Sequence, residues 1–357
     1  MTTIEWTHRP GTKGETWNPI RARNRATGGV GHYCAHVSEG CRNCYAEAMQ
    51  GWRFDNPIRF AVQDKAKVDI FLDEKVLAQP LRWRRPRTIF VCSMTDLYGP
   101  WVPDEWIDKI KAIEALCPQH TFIELTKRPE RMRKYHASPD RWLLVEDVAE
   151  QLGFSPRELD AFDWLANQKF LPNVWEGTSV EDHDTAQARI RELQKVPAAV
   201  RWISFEPMLG PIDCTFLDRP AFWKGIHWAV AGGESGRGAR PMHPAWLRWV
   251  RERCIAHGIP FFFKQWGAWA PHHPVAGGDL GGDVRSGRVT IVHPTGQSEI
   301  EVFTASGRNT IPGSHFMERV GKKAAGRLLD GVEWSMWPEV VVTELRKLRP
   351  CTAFHAY

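Results

Sequence analysis

Cys34, Cys41 and Cys44 fall within eleven positions of a 357-residue chain, in the run Cys34-Ala-His36-Val-Ser-Glu-Gly-Cys41-Arg-Asn-Cys44. Three thiolates can hold three irons of a cubane and leave the fourth iron open. An open iron chelates the amino and carboxylate groups of S-adenosylmethionine, and an electron passed into the sulfonium releases a 5′-deoxyadenosyl radical. The spacing therefore predicts a [4Fe–4S] cluster with S-adenosylmethionine as a second cofactor. A rival chemistry uses the same residues, because the three cysteines with His32 or His36 make a tetrahedral zinc set. Zinc sites usually join two separated ligand pairs, and no second pair closes the cage here. Two functions stay open: a radical enzyme, or a zinc-stabilised nucleic-acid-binding or interaction protein without redox chemistry.

The other cysteines (Cys92, Cys117, Cys214, Cys254, Cys351) are scattered, several of them within apolar patterns. They read as small core residues rather than a disulfide framework.

A cluster of this kind needs a rigid frame. Seven short apolar runs, at 16–20, 88–93, 121–125, 174–177, 200–205, 227–231 and 260–264, have the continuous hydrophobicity of strands buried on both faces. Amphipathic stretches alternate with them. In 104–117, Ile107, Ile110, Ile113 and Leu116 share a face. In 183–196, Ala186, Ile190 and Leu193 do the same, and a helix from Pro244 ends near Gly258. The alternation predicts an α/β fold with a mainly parallel sheet, closed into a full or partial (β/α) barrel.

Polar residues follow nearly every strand: Asn18, then Ser93, Thr95 and Asp96, then Lys127, Thr178 and Glu181, Glu206, and Gly232-Gly233-Glu234. Strand C-termini of such folds face one rim, where sites are built. Ser93, Thr95, Asp96, Lys127, Thr178, Glu181, Glu206, Gly232, Gly233 and Glu234 are therefore the candidate cofactor-binding residues. Glu181, Glu206 and Glu234 can instead pair with Lys127, Arg128 and Lys264 in a structural network. The catalytic residue is not readable.

Residues 1–266 form the expected core, with a helical insertion at about 138–172 whose apolar positions are Leu143, Leu144, Val148 and Leu152. Residues 267–315, rich in glycine and histidine, read as a β-hairpin appendage, and 316–357 as a tail returning in helical form to the core. The net charge of +5 permits a nucleic-acid partner. Basic residues alternate with aromatics at 82–87 and 127–135, as in nucleic-acid patches and in many solvated surfaces. The pair His272-His273 reads as accidental adjacency. No signal peptide or membrane-spanning run is apparent, so a cytoplasmic protein without a membrane partner is expected.

The run Thr16-Trp17-Asn18-Pro19 and the Cys34, Cys41, Cys44 set followed by Tyr45-Ala46-Glu47 resemble an uncharacterised bacteriophage-associated family of radical-SAM-like proteins. Ser93-Met94-Thr95-Asp96-Leu97, Leu125-Thr126-Lys127-Arg128-Pro129, Ser204-Phe205-Glu206-Pro207 and Phe263-Lys264-Gln265-Trp266-Gly267 carry the same resemblance. It implies a radical-SAM-type partial barrel, a low-potential donor such as flavodoxin or ferredoxin, and dependence on iron–sulfur assembly machinery. It implies no settled reaction; the substrate, a small molecule, nucleotide or nucleic acid, is unidentified. Two features depart from the superfamily pattern. Six residues rather than three separate Cys34 from Cys41, and Gly232-Gly233-Glu234 follows the sixth strand rather than the second.

Overall fold

The structure is a computed structural model that describes residues 2, 4–152, 169–271, 289–295, 298–299 and 313–339. The first strand, β1 (Lys13–Trp17), leads into a separate antiparallel sheet of β2 (Ile20–Asn24), β3 (Val30–Gly31) and β4 (Val68–Leu72), with β2 in the middle. Then come β5 (Arg87–Val91), β6 (Thr121–Thr126), β7 (Val174–Ser179), β8 (Val200–Phe205), β9 (Trp228–Gly232) and β10 (Phe261–Gln265). These join β1 in a seven-stranded sheet of order β1-β5-β6-β7-β8-β9-β10, with every pairing parallel. The order never reverses, so the chain winds one way and its helices cover one face. The sheet is a half-barrel, with all strand exits on one rim.

The helices used below are α1 (Tyr45–Phe54), α2 (Asp104–Leu116), α3 (Pro129–His136), α4 (Arg141–Gln151), α5 (His183–Leu193) and α6 (Pro244–Ala256). Their ends follow local chemistry. A capping box between Asp182 and Thr185 starts α5, and Pro244 starts α6. Gly258 (φ +66°) adopts the left-handed turn beyond α6.

Two cores lie on either side of the sheet. The outer one packs Ile107, Ile110 and Ile113 of α2, Leu193 of α5 and Val250 of α6 on Ile89, Phe122, Ile203 and Phe261. The inner one is aromatic: Trp6, Phe90, Trp175, Trp202, Trp228 and Phe262 fill the concave face. Trp202 and Trp228 lie 5.3 Å apart between ring centres, and Trp6 lies 4.8 Å from Phe90. Gly177 makes room for this stack, since a Cβ there would lie 2.2 Å from Trp202 Nε1.

The outer layer also buries charge. Lys111 Nζ of α2 lies 2.8 Å from Glu124 Oε1 of β6, 2.8 Å from Glu176 Oε1 of β7 and 3.4 Å from Glu114 Oε2. The Tyr98 hydroxyl donates to Glu124, and His136 Nε2 contacts Glu176. Burial pushes the Glu114 carboxyl up to about 7 despite Lys111, and burial with the charge of Glu176 raises Glu124 well above its usual range. Burial also opposes charge on Glu176, but Lys111 and His136 outweigh it and hold that carboxyl low. One lysine thus neutralises one of three carboxylates.

Several expectations need correction. In α4 the buried side chains are Arg141, Trp142, Val145 and Ala149, and Val148 and Leu152 pack partly buried on the core as expected, whereas Leu143 and Leu144 are exposed. The phase is set by Arg141, whose Nη1 reaches Asp108 Oδ1 on α2 at 2.9 Å. The described part of the insertion therefore lies on the outer layer; 153–168 fall outside the described residues. The appendage is a four-stranded antiparallel sheet of β11 (Trp269–Pro271), β12 (Val289–Val292), β13 (Ser298–Glu299) and β14 (His315–Arg319), ordered β11-β14-β12-β13. It crosses the expected boundary at 315. His272, His273 and Cys351 lie outside the described residues.

The tail does pack on the core, but its described end is extended. After a short hairpin, Phe263 N donates to Trp334 O and Met336 N donates to Phe261 O, so 334–336 cover the free edge of β10. Among the described residues no helix is long and apolar enough to cross a membrane.

Candidate metal and ligand site at the strand exits

A cavity of about 730 Å³ opens at the rim, and Cys34, Cys41 and Cys44 all line it. The chain reaches it from β3 through Gly31, and Cys44 is the residue before the first turn of α1. Cys44 stands at the N-terminus of α1, a position that favours negative charge. Ala46, Phe60 and Met94 form an apolar cluster around Cys34 and Cys44, joined by Met49 and Phe54. Burial raises both thiols above their usual range, and each of the three cysteines lies close enough to influence another's charge.

The six-residue gap between Cys34 and Cys41 is held by side chains from distant strands. Glu181, just beyond β7, accepts the Ser38 hydroxyl at 2.6 Å and the Gly40 amide at 2.8 Å. Lys127 and Arg189 pair with the same carboxylate. Burial alone would raise Glu181, but the Lys127 ammonium and these hydrogen bonds hold it down to about 2. Glu234, beyond β9, grips the other end: Asn43 Nδ2 donates to it at 2.9 Å and Arg240 Nη2 at 2.7 Å. Arg240 Nη2 also donates to the Glu39 carbonyl. Arg128 bridges Asp96 and the Ala35 carbonyl, both at 2.8 Å, while lying over Trp101.

The candidate residues thus divide. Ser93, Thr95, Asp96, Lys127, Glu206, Gly233 and Glu234 share the cavity wall with the cysteines. Asp96 is engaged by Thr126, Arg128 and the Tyr98 and Lys127 amides. Thr95 donates to the Tyr33 carbonyl. Asn18 fixes Ser93 and the Met94 amide. Thr178, Glu181 and Gly232 are not on the wall: Thr178 is buried and donates to the Thr126 carbonyl. Gly233 answers to packing, because a Cβ there would lie 2.0 Å from the Trp266 carbonyl oxygen. Glu206 faces Lys264 at 2.7 Å across the exits of β8 and β10.

Ser179, Ser204, Tyr45, Lys264 and Gln265 also line the cavity. None was among the candidate cofactor-binding residues, although Ser179 and Gln265 stand at strand exits, and Ser179 and Ser204 are register partners on adjacent strands that strand alternation could have exposed. The basic run 127–135 is largely consumed internally, with Arg131 on the Gly99 and Val102 carbonyls, Arg133 on Glu192 and Lys134 on Glu130. In 82–87, Arg87 pairs with Glu15 and lies over Trp83.

His36 is held by Glu47 at 2.7 Å. His32 lines the cavity with Nδ1 lacking a partner, and burial lowers it to about 4. Among the described residues no group of three or more His, Cys, Asp or Glu side chains is arranged to hold a metal ion. Cys34, Cys41 and Cys44 nevertheless line one chamber, with apolar packing around Cys34 and Cys44, and thiols are the donors that iron–sulfur clusters take.

No curated protein and no solved structure matches the chain. Residues 1–338, covering the half-barrel, the cysteine loop and the cavity, match the family described as protein of unknown function (DUF5131), and the chain belongs to that family.

Proposed function

We propose that this chain is an iron–sulfur enzyme of the radical S-adenosylmethionine type, acting on a substrate held in the same chamber as its cysteines. The observation that carries the reading is the convergence of Cys34, Cys41 and Cys44 on a rim cavity large enough for more than one ligand. When bound, a [4Fe–4S] cluster supplies the electron that cleaves S-adenosylmethionine, with a flavodoxin or ferredoxin as the external donor.

The residues have definite work in this reading. Cys34, Cys41 and Cys44 hold the cluster. Glu181, Arg240 with Glu234, and Arg128 fix the loop from three sides. Ala46, Phe60 and Met94 pack against Cys34 and Cys44 and limit the water that reaches them. Ser93 and the Glu206–Lys264 pair, on the same cavity wall, supply polar contacts for the ligands.

A zinc ion sits about 2.3 Å from each sulfur at tetrahedral angles, so its ligands must crowd together. The described residues contain no such group, and His36 is engaged by Glu47. A cubane instead takes its thiolates on separate irons, so metal and sulfide content separates the two readings. Anaerobic reconstitution tests the reading: about four irons and four sulfides per chain are expected. S-adenosylmethionine should change the EPR signal of the reduced protein and be cleaved slowly to 5′-deoxyadenosine. One tightly held zinc with no sulfide overturns the proposal.

A further inference from the structure

Among the described residues, Tyr45 and Trp52 are the only exposed Phe, Tyr or Trp side chains, at 48% and 73%, and both belong to α1. Seven positions apart, they lie on one face of the helix, about 10 Å from each other along its axis. Ala48 and Gly51 between them are small and exposed, so both rings stand clear. Tyr45, Met49 and Arg53, spaced one turn apart, line the cavity, and the aromatic face therefore borders its mouth. The Tyr45 hydroxyl donates to the Ser93 carbonyl, which fixes the ring nearest the chamber.

The charge at this mouth is positive. Four carboxylates lie on the cavity wall and each has a cation: Glu5 has Lys322, Asp96 has Arg128, Glu206 has Lys264 and Glu234 has Arg240. Lys127, on the same wall, is taken by Glu181. Among the described residues Arg53 is the wall's remaining Lys or Arg, exposed and without a carboxylate partner. Arg42 and Arg237 are exposed too, and Asn43 donates to the Gly238 carbonyl, which brings their two loops together. The exposed acids do not cancel them, since Glu39 is held by Arg240 at 3.3 Å and Asp55 stands beyond the end of α1.

We propose that the outer face of α1 binds a single-stranded nucleic acid and leads it to the chamber. Bases stack on Trp52 and Tyr45, whose separation spans about three stacked nucleotides, and phosphates meet Arg53. The arginine fork suits phosphate oxygens, and free π-faces suit unpaired bases. An acidic protein surface would answer the charge and leave the two rings unused. A duplex keeps its base faces against one another, so it reaches the arginine and not the rings. The inference names a substrate class for the enzyme proposed above and rests on that reading only for the claim that the strand is substrate. Binding itself needs no metal.

Fluorescence anisotropy of the metal-free full-length protein tests it, with labelled DNA and RNA single strands of about twelve nucleotides and the matching duplexes. One or both single strands should bind roughly tenfold or more tightly than the duplex of the same sequence. Trp52→Ala should weaken that binding roughly 5- to 100-fold. Arg53→Gln should weaken it as well and lower the log–log salt slope by about 0.7. Leu143→Ala, at an exposed apolar position on α4, should change neither. Equal binding of duplex and single strand, or unchanged binding in Trp52→Ala, would overturn the proposal. So would a Trp52→Ala defect confined to reduction by flavodoxin, which would give the face to a protein donor. If Arg53→Gln fails to fold, Trp52→Ala and the duplex comparison still decide. Strand binding through Trp52 in a protein that takes up no iron would sink the radical reading and leave this surface standing.

Discussion

Gly40 lies so close to Glu181 that a Cβ on it would stand 2.4 Å from the carboxylate carbon, although the two residues are 141 positions apart. A seemingly free loop is thus moulded on a buried acid from another strand. Glu181→Gln removes a charge that answers Lys127 and Arg189, and should cost about 3 kcal/mol of stability in denaturant melts of the metal-free protein. Gly40→Ala should move the loop, so that reconstituted iron falls well below the wild-type level while the circular dichroism of the sheet persists. Full iron loading in both variants would show that the loop does not depend on this contact.

Alanine at Cys34, Cys41 or Cys44 should each abolish the visible absorbance of the reconstituted protein and cleavage of S-adenosylmethionine. Cys254→Ala and Cys214→Ala should leave both intact, since Cys254 is a buried core residue and Cys214 is exposed. Cys34 is the most informative, given its long spacing. A complete cluster in Cys34→Ala would transfer the third ligand to another residue.

The buried lysine gives a stability test that is independent of any cofactor. Lys111→Met leaves Glu114, Glu124 and Glu176 without their cation and should cost about 3–5 kcal/mol.

Glu114 adds a pH dependence. Its folded pKa, about 7, lies above the ordinary value of 4.5, so between these pH values the folded protein binds more protons than the unfolded chain. Stability from this group is fully present below about pH 4.5 and declines as pH rises toward about 7. The groups facing it are Lys111, Glu124 and Glu176. Chemical denaturation across that window should show a shallower decline in Glu114→Gln than in wild type; an unchanged slope would assign the dependence elsewhere.

Gly233 separates two explanations of one motif. If its role is packing against the Trp266 carbonyl, Gly233→Ala should lower stability by about 1–3 kcal/mol with or without ligand. If the glycine serves only a ligand, the metal-free protein should melt as wild type.

Most of the main sheet was legible because its strands are continuous apolar runs, and β8 spans the expected 200–205 without change; β1, the polar run Lys13–Trp17, lies ahead of the expected 16–20. The antiparallel sheet of β2 to β4 was not, because Ile20-Arg21-Ala22-Arg23-Asn24 and the two-residue β3 carry too little hydrophobic pattern. In α4 the expected face was half right: Val148 and Leu152 pack on the core, but Leu143 and Leu144 are exposed while Arg141 pairs inward with Asp108. The cysteines and most rim residues could be read from strand exits. Glu181 and Glu234 were legible as positions but not as roles: their partners, Gly40 and Asn43, meet them only through the tertiary fold. The carboxylates of Glu124 and Glu176 were invisible for the same reason, since nothing near them in sequence announces Lys111.

The inner aromatic stack has a consequence for the newly made chain. Trp337 Nε1 donates to the Trp6 carbonyl at 3.1 Å, across 331 positions. At roughly 5–20 residues per second of synthesis, Trp6 waits about 20–60 s after leaving the ribosome before that partner exists. During this interval the cysteine loop and the first strands are already made, while the floor beneath them is unfinished. Any ligand that arrived then would meet a chamber open from below, so this architecture favours binding after Trp337 has been made.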